Sequence, residues 1–329
     1  MAPEQSETRY FIVGGAGFIG SHLVRRLVER AEARITVYDN FSSGRMWRLG
    51  EAANHPRVSI VRGDVKELAQ LTGAMRGCKC VFHFASNPDI AKAVTQPDID
   101  FWEGTYLTQN VLEAMRQSGA QRLIYASGSG VYGEIGQTPA FEDYGPLLPI
   151  STYGASKLAG EAMICSYCHL FGLRAAAFRF ANVVGPRQSH GVCYDFVLRL
   201  LRDPTSLRIL GDGTQSKAYI HVDDVLDAML MIADQDAPGY EYFNAATLDY
   251  LTVREIADLV ASRLGLSNVN YEFTGGDRGW KGDVPVVRFD TRKLRARGWK
   301  NRRTCAEALA DSIDSMIADA RAGHLDQSK

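Results

Sequence analysis

Residues 9–26 read RYFIVGGAGFIGSHLVRR, an apolar β-type run that meets a cluster of glycines and continues as an amphipathic helix pattern. Gly14, Gly17 and Gly20 fall at a G-x-x-G-x-x-G spacing. Glycines at a strand-to-helix junction permit a tight turn and let the backbone approach a pyrophosphate, which the N–H groups of the first helical turn can bind. The stretch therefore predicts a dinucleotide-binding loop that follows the first strand of a parallel sheet.

The second apolar run ends at an acid, Asp39, which lies 19 residues beyond Gly20. An acid at this point accepts hydrogen bonds from the adenosine ribose diol and repels a 2′-phosphate, so NAD is favoured over NADP. Arg45 is close enough in sequence to offset part of that repulsion. After the third run, Asp64 and Val65 are expected to contact adenine, and a role for Asp64 as the cap of the next helix stays open.

Alternating strand and helix patterns dominate the first 180 residues. Six β-rich runs occur there: RYFIVGG, ARITVYDN, RVSIVRGD, CVFHFAS, RLIYASG and RAAAFRFAN. This rhythm predicts an α/β Rossmann fold, a doubly wound parallel sheet with helices on both faces. We expect an NAD-binding domain over residues 1–180 and a smaller, partly interleaved α/β substrate lobe over residues 181–329, with segments near 218–245 returning to the first domain.

Composition excludes several functional classes. The chain has 329 residues and a formal net charge of −1, so it lacks the basic footprint of a nucleic-acid-binding protein. No run of 18 apolar residues occurs, so no membrane span is expected. Six cysteines are too few for a disulfide scaffold, which predicts a cytoplasmic location. Cys165 and Cys168 form a CxxC inside a helical pattern without a second ligand pair, so we expect buried helix thiols and no metal site.

The stretch STYGASKLAGE, residues 151–161, places Tyr153 and Lys157 one helical turn apart on the same face. A lysine ammonium beside a phenol favours the phenolate and lowers its pKa toward the range useful for acid–base chemistry. The pattern Y-x-x-x-K is common by itself. Downstream of a dinucleotide loop it predicts a catalytic Tyr–Lys pair.

Together these motifs resemble those of the extended short-chain dehydrogenase/reductase family, and within it the nucleotide-sugar epimerases and dehydratases. The resemblance covers residues 9–300. It rests on these motifs: GGAGFIGSH, Asp39-Asn40, Asp64-Val65, HFAS, VYGE, YGASK, RFANVVGP, GDGTQSKAYIHVDD, and Arg278 with Gly282-Asp283.

The resemblance implies a reaction and a set of contacts. Tyr153 as phenolate would remove a proton from a sugar hydroxyl, usually at C4, while bound NAD⁺ takes the hydride, and Lys157 would tune Tyr153 and hold the nicotinamide ribose. Cofactor contacts are implied for Phe18, Ile19, Asn40, Phe84, Ala85, Ser86 and Phe180. Substrate contacts are implied for Asn182, Lys217, Arg278, Asp283 and Val192. Asn182 would bind the diphosphate, with Lys217 (an arginine in most relatives) and Arg278 as its counter-charges and Asp283 on the nucleotide side.

The family pattern breaks in ASGSGVYGE, residues 126–134. Many relatives carry a serine or threonine four residues before the tyrosine of VYG, where its hydroxyl contacts the reacting sugar oxygen. Here that position is Gly128. Side chains alternate along an extended segment, so Ser127 and Ser129 point away from that side unless the glycines permit a bulge. We expect Ser129, Ser127 or a water molecule to make the contact, with Ser129 favoured.

Two more positions suggest a remodelled site. Gly104 stands where relatives usually have an asparagine, and we expect its missing side chain to open space near the catalytic strand. Val287 lies four residues after Asp283, where family members differ in a residue that gates the sugar pocket. A side chain this small would tolerate an N-acetyl group at C2.

The same stretch bears on the choice of reaction. By resemblance, 4,6-dehydratases need an acid pair directly after the missing hydroxyl, and UDP-glucuronate decarboxylases carry a glutamate at the second position, but Ser129 and Gly130 stand here. Elimination favours an NAD-dependent 4-epimerase of a UDP-hexose: UDP-glucose/galactose, UDP-GlcNAc/GalNAc or a uronate. Two alternatives stay open: a dehydratase that uses Glu134, His190 or Cys193, and a non-catalytic NAD-binding regulator. The family resemblance also implies a homodimer formed through a four-helix bundle.

Overall fold

A computed structural model describes residues 8–31, 33–235 and 239–325. The strands in these ranges are β1 (Thr8–Val13), β2 (Ala33–Asp39), β3 (Val58–Arg62), β4 (Cys80–His83), β5 (Arg122–Gly128), β6 (Pro139–Ala140), β7 (Arg174–Phe180), β8 (Asn182–Val184), β9 (Ser206–Ile209), β10 (Ser216–Lys217), β11 (Tyr219–His221), β12 (Tyr240–Ala245), β13 (Leu251–Thr252), β14 (Asn270–Phe273) and β15 (Arg288–Phe289). The helices are α1 (Phe18–Val28), α2 (Met46–Leu49), α3 (Leu68–Met75), α4 (Tyr106–Ser118), α5 (Thr152–Phe171), α6 (Val192–Arg202), α7 (Val222–Ala233), α8 (Val253–Arg263), α9 (Arg292–Ala296) and α10 (Cys305–Arg321). Short 3₁₀ turns occur at Gly50–Asn54, Ile90–Val94 and Ser129–Tyr132, and a π-helical turn at Phe101–Thr105 precedes α4.

Seven strands form one sheet in the order β12-β7-β5-β4-β1-β2-β3. The pairs β1–β2, β1–β4, β2–β3 and β4–β5 are parallel. All six β-rich runs of the sequence are strands of this sheet, and the predicted fold class is confirmed. The strand order reverses direction beside β1, which has β2 on one side and β4 on the other. Ligands of doubly wound sheets bind at such a switch point, beyond the carboxyl ends of the strands.

Both faces of this sheet are covered. Phe11 and Val13 of β1 lie in a buried cluster with side chains of α3, α4 and α5. Ile12, between them, points to the opposite face by the two-residue repeat of a strand and is fully buried as well. A strand that is buried on both faces reads as a continuous apolar run, which explains why β1 shows no polar alternation.

The chain divides into two compact units. Unit 1 contains the described residues up to 128, with 155–179 and 229–243; unit 2 contains 129–154, 180–228 and the described residues from 244 onward. The sequence analysis assigned residues 129–154 to the first domain, whereas the structure groups them with unit 2. The reason is pairing over a long sequence separation, since β6 within this segment runs parallel to β15.

Asn244 anchors the same segment inside unit 2. Its side-chain amide donates to the carbonyls of Ala140 (2.7 Å) and Asp290 (2.9 Å), and its Oδ1 accepts from the Tyr132 hydroxyl at 2.7 Å. Its backbone N–H donates to Glu142 at 2.9 Å. Asn244 is fully buried, so each of these bonds replaces water that cannot reach the group.

Two predictions about composition are refined by the structure. Cys168 is buried as expected, but Cys165 on the same helix is exposed, so the expectation of two buried thiols was wrong for Cys165. α5 is a single 20-residue helix whose face turns from core to surface between these two positions. Across the described ranges, no helix combines the length and apolar character needed to cross a bilayer. The homodimer remains a prediction.

Replacing Asn244 with alanine is expected to lower the free energy of unfolding by about 3 kcal/mol. The substitution removes three buried hydrogen bonds and leaves two carbonyls and one hydroxyl without that partner. Urea unfolding measures the loss. Asn270→Ala, at an exposed position of β14, is the matched control and is expected to change stability by less than about 0.5 kcal/mol. Equal effects of the two substitutions would contradict the anchoring role.

Candidate active site

The glycine loop after β1 is built by close backbone approaches. Gly14 has φ +77°, and a Cβ added there would lie 2.8 Å from the backbone nitrogen of Ala85. A Cβ added at Gly20 would lie 2.4 Å from the Gly14 carbonyl oxygen, which is a clash. Only glycine fits at both positions. The loop therefore lies directly against the segment that follows β4, where Phe84, Ala85 and Ser86 were expected to line the cofactor.

Asp39 holds this loop to the end of β2. Its carboxylate accepts hydrogen bonds from the backbone N–H groups of Ala16 (2.9 Å) and Phe41 (2.8 Å) and is 7% exposed. Burial raises the pKa of the carboxyl group, while the Phe41 and Ala16 amides act in the opposite direction. Arg45 donates to the Gly44 carbonyl oxygen at 2.8 Å. The acid predicted to bind the ribose thus also orders the phosphate loop.

Asp64 organises the loop after β3. Its carboxylate accepts from the Lys66 N–H at 2.9 Å and from the Asn40 side-chain amide at 3.1 Å. The residue that precedes α3 is Glu67, so Asp64 does not cap that helix. Asn110 on α4, which the sequence analysis did not single out, donates to the Val65 carbonyl at 3.0 Å. Asn40, Asp64 and Val65 therefore lie together, as their assignment to the adenosine end requires.

These residues fit a dinucleotide. The first turn of α1 has no side-chain cap, so the N–H groups at Phe18 and Ile19 remain for an anionic ligand. The Ser86 hydroxyl oxygen is buried and has no hydrogen-bond partner among the described residues. Buried polar atoms are normally satisfied, so this hydroxyl is suited to a ligand group. The cofactor would be held by the glycine loop, Asp39, the Asn40–Val65 corner and the segment after β4.

Lys157 is buried on α5. It is 4% exposed, and its Nζ donates to the carbonyl oxygen of Ala126 at 2.9 Å. The same Nζ lies 5.2 Å from the centre of the Tyr125 ring, within the range of a cation–π contact. Burial lowers the pKa of Lys157 to about 8. The predicted catalytic lysine is thus anchored to the end of β5, one turn along α5 from Tyr153.

Ser127 belongs to a buried polar network beneath α5. Its hydroxyl donates to Glu161 at 2.5 Å, and Glu161 in turn pairs with the Arg179 guanidinium at 2.7 Å. All three side chains are about 95% buried or more. Ser127 was predicted as a candidate catalytic hydroxyl; in this structure its hydroxyl donates to Glu161, and the catalytic role stays a prediction. The alternation expected along β5 does turn this side chain away from the side that Gly128 faces.

Ser129 and Tyr153 are brought together by two glycines of unit 2. A Cβ added at Gly130 would lie 3.2 Å from the Gly154 Cα, and one added at Gly154 would lie 2.4 Å from the Gly130 carbonyl oxygen. The 3₁₀ turn after β5 therefore touches the start of α5 backbone to backbone. Ser129 and Tyr153 directly precede these two contact points, and both are partly exposed. Of the two serines, Ser129 is the one next to this backbone contact.

The two glycines that replace family side chains differ in their surroundings. A Cβ added at Gly128 meets no heavy atom within 4 Å in the described part of the chain. A Cβ added at Gly104 would lie 2.7 Å from the Ser156 hydroxyl oxygen. The expectation that Gly104 opens space was wrong, because Ser156 of α5 fills that volume against the π-helical turn. Of these two glycines, Gly128 is the one that leaves room for a side chain.

Three of the residues expected at the substrate lie close together within unit 2. The Asn182 side chain donates to the Ala218 carbonyl at 3.3 Å, next to Lys217. The Lys217 ammonium forms an ion pair with Asp283, whose second oxygen accepts from the Gly279 N–H at 3.2 Å. Asp283 therefore neutralises Lys217 in this structure, so an incoming diphosphate would compete with it for the ammonium.

Arg278 is held in a similar way. Its guanidinium donates to the Asp283 carbonyl at 3.5 Å and pairs with Glu134 at 2.6 Å. The Arg278 and Glu134 side chains are 31% and 44% exposed, so water screens the pair and it contributes little to stability. The sequence analysis considered Glu134 only as an acid–base group and missed this contact.

The fold and these contacts agree with one protein family. Residues 10–246 match the NAD dependent epimerase/dehydratase family. The chain belongs to this family. NAD, predicted from the glycine loop and Asp39, is the cofactor on which the family depends. The family consists of epimerases and dehydratases, and its description leaves both reactions open for this member.

Relatives on both sides of this epimerase/dehydratase family are similar to the chain. The UDP-glucose 4-epimerase of Mycolicibacterium smegmatis is 33% identical over 314 residues, 93% of this chain and 97% of that protein. A solved UDP-galactose 4-epimerase is 38% identical with a TM-score of 0.84 and covers 95% of this chain and 99% of its own. The Streptomyces venezuelae dTDP-glucose 4,6-dehydratase DesIV, solved as a double mutant with NAD bound, is 26% identical with a TM-score of 0.88, covering 96% and 98%.

Three remaining positions were assigned from family resemblance. Phe180 is buried at the end of β7. Val192 is the first residue of α6 and is partly exposed, and Val287 is 7% exposed beside β15. Their cofactor and substrate roles stay predictions.

Replacing Gly20 with alanine is expected to weaken NAD binding by at least about tenfold, because the new methyl group would force the Gly14 carbonyl away and open the loop. Isothermal titration calorimetry with NAD measures the effect. Gly73→Ala in α3 is the matched control, since a Cβ there meets nothing within 4 Å. It is expected to leave NAD binding unchanged and to add about 0.5–1 kcal/mol of stability. Unchanged NAD affinity in Gly20→Ala would refute the assignment of the loop.

Proposed function

We propose that this chain is a 4-epimerase of UDP-hexoses, which inverts C4 by transient oxidation and re-reduction. The observation that carries the proposal is the backbone contact of Gly130 with Gly154, since the 3₁₀ turn Ser129–Tyr132 that makes this contact contains a serine and no carboxylate. A 4-epimerase needs no further acid, because the hydride leaves one face of C4 and returns to the other. The similarity to the Mycolicibacterium smegmatis enzyme, at 33% identity, supports the UDP-hexose class.

The packing of this turn disfavours the acid pair expected of a 4,6-dehydratase. The first position of that pair is Ser129 and the second is Gly130. A Cβ at Gly130 would lie 3.2 Å from the Gly154 Cα, so an aspartate or glutamate there would require one of the two backbone segments to shift by a few tenths of an ångström. The close contact of the two glycines thus disfavours an acid at the second position.

The other acid–base candidates for a dehydratase are poorly placed. Cys193 is 1% exposed, and burial raises the pKa of its thiol, so the thiolate is disfavoured. Glu134 is paired with Arg278. His190 is exposed, with its ring 3.5 Å from the Ser189 hydroxyl. A dehydratase is still the second candidate, because DesIV superposes with a TM-score of 0.88.

Each catalytic group then has one task. Bound NAD⁺ would supply the hydride acceptor at C4. Tyr153 as phenolate takes the C4 hydroxyl proton, and the Lys157 ammonium one turn away stabilises that phenolate. Ser129 donates a hydrogen bond to the C4 oxygen, the role that a side chain at position 128 has in relatives. The open volume at Gly128 admits the hydroxyl of a neighbouring residue or a water molecule.

Incubation with UDP-glucose, UDP-GlcNAc and their uronate analogues in D₂O tests the proposal. We expect at least one of them to interconvert with its C4 epimer, without deuterium at C5 and without an alkene signal in the NMR spectrum of the product. Deuterium at C5 or a vinylic proton would identify a dehydratase instead. NAD binding without turnover of any of these sugars would favour the non-catalytic regulator.

Ser129→Ala is expected to lower kcat by roughly tenfold or more, because the hydrogen bond to the reacting oxygen is lost while the fold is retained. Ser127→Ala is the matched control: its loss from the Glu161 network is expected to cost about 1–2 kcal/mol of stability and to keep kcat within about threefold. Gly128→Ser in the Ser129→Ala background is expected to restore turnover, since the added side chain enters open space. If Ser127→Ala lost turnover and Ser129→Ala retained it, Ser127 rather than Ser129 would be the hydroxyl that contacts the sugar.

A further inference from the structure

The charge of Lys157 requires a counter-charge in unit 1. Lys157 is 4% exposed, and its ammonium donates to a neutral acceptor, the Ala126 carbonyl oxygen. A buried cation without an opposite charge costs several kcal/mol, so it either loses its proton or is paired. A neutral amine at position 157 would not stabilise a phenolate at Tyr153.

Glu161, one turn further along α5, is already committed. Its two carboxylate oxygens accept from Arg179 Nε (3.0 Å) and Nη2 (2.7 Å), and one of them also accepts from Ser127. This bidentate pair with a guanidinium neutralises the carboxylate. Glu161 therefore contributes little net negative charge at Lys157.

Asp100 is the second carboxylate in the interior of this region. It is 1% exposed, and its Oδ1 accepts from the Asn87 side-chain amide at 2.9 Å. Asn87 follows β4, whereas the Ala126 carbonyl that binds Lys157 lies near the end of β5. β4 and β5 are adjacent parallel strands with His83 opposite Tyr125, so Asn87 and Ala126 both come after this pair, toward the carboxyl edge of the sheet.

The π-helical turn Phe101–Thr105 brings the same region against α5. Its Gly104 lies so close to Ser156 that an added Cβ would be 2.7 Å from the serine hydroxyl oxygen, and Ser156 directly precedes Lys157. The Asn87 backbone N–H donates to the Glu103 carbonyl of this turn at 3.1 Å. Asn87 thus bonds to both ends of the segment 100–103, and Gly104, which follows this segment, contacts α5. π-helical turns recur at functional sites.

We propose that Asp100 is the buried counter-ion of Lys157, a positioning residue that keeps the lysine charged beside Tyr153. The inference rests on the proposed role of the Tyr–Lys pair. The proposal explains the close contact of the π-helical turn with α5, because this contact brings a carboxylate into the region where the lysine is buried.

The electrostatics of the surrounding groups agree with this assignment. Burial lowers the pKa of Lys157, while Asp100, followed by Glu161, acts to raise it. His83 on β4 is neutral, because burial and the nearby Lys157 charge lower its pKa to about 3. Tyr125 on β5 presents its ring. Of the groups around the ammonium, Asp100 is the one whose negative charge a single substitution can remove without breaking the Glu161–Arg179 pair.

Asp100→Asn tests the proposal, since it removes the charge and retains an oxygen that can accept from Asn87. We expect the pKa of Lys157, about 8 in the wild type, to fall by about one unit or more, read from the side-chain NMR signals of protein labelled at lysine. Asp98→Asn, an exposed aspartate two residues away, is the matched control and is expected to leave this pKa unchanged. An unchanged Lys157 titration in Asp100→Asn overturns the proposal.

The reciprocal variant covers the case in which Asp100→Asn does not fold. In Lys157→Met, which keeps the length of the side chain, the buried Asp100 carboxylate loses its counter-charge, so adding Asp100→Asn to Lys157→Met is expected to raise the urea midpoint of unfolding. No rise would overturn the pairing.

Activity provides a separate readout. At neutral pH, Asp100→Asn is expected to lower kcat with little change in KM. The pH dependence of kcat is expected to shift to lower pH, together with the pKa of Lys157. If the wild type turns over no UDP-sugar, the proposed function fails, whereas the Lys157 titration and the urea unfolding comparison still decide whether Asp100 pairs with Lys157.

Discussion

The burial of one ammonium group, that of Lys157, is the constraint on which the candidate active site depends. A cation 4% exposed persists only where the interior supplies opposite charge and hydrogen-bond acceptors. The Ala126 carbonyl in β5 and the Tyr125 ring contact it. Its proposed counter-ion is Asp100, which accepts from Asn87. Under this proposal the charge of Lys157 depends on elements distant in sequence from α5, among them the π-helical turn before α4.

Backbone contact through glycine is the second theme. Gly20 approaches the Gly14 carbonyl in the phosphate loop, and Gly130 approaches Gly154 at the start of α5. In each case the absence of a side chain allows two backbone segments to touch. The touching segments contain the groups that are proposed to act: N–H donors in the first case, Ser129 and Tyr153 in the second. The glycines of ASGSGVYGE thus have different roles. Gly130 is needed for packing, and Gly128 leaves open volume.

Family membership and site geometry answer different questions. Similarity to epimerases and dehydratases alike shows that the chain belongs to an NAD-dependent enzyme family, and it leaves the choice between the two reactions open. The choice between them depends on which acids lie beside the tyrosine. The contact of Gly130 with Gly154 bears on that choice directly, since it limits what side chain the turn can carry.

The sequence by itself determined the fold class, the dinucleotide loop and the spacing of Tyr153 and Lys157, because each is encoded in a contiguous pattern: apolar runs, a glycine triplet, one turn of helix. Only the tertiary structure decided which hydroxyl is available and which space is empty. Ser127 is committed to Glu161, 34 residues away, and Ser156 fills the volume beside Gly104. Lys217 meets Asp283 across 66 residues. Such partners are joined by the folding of separate segments onto one another, and no local pattern records them.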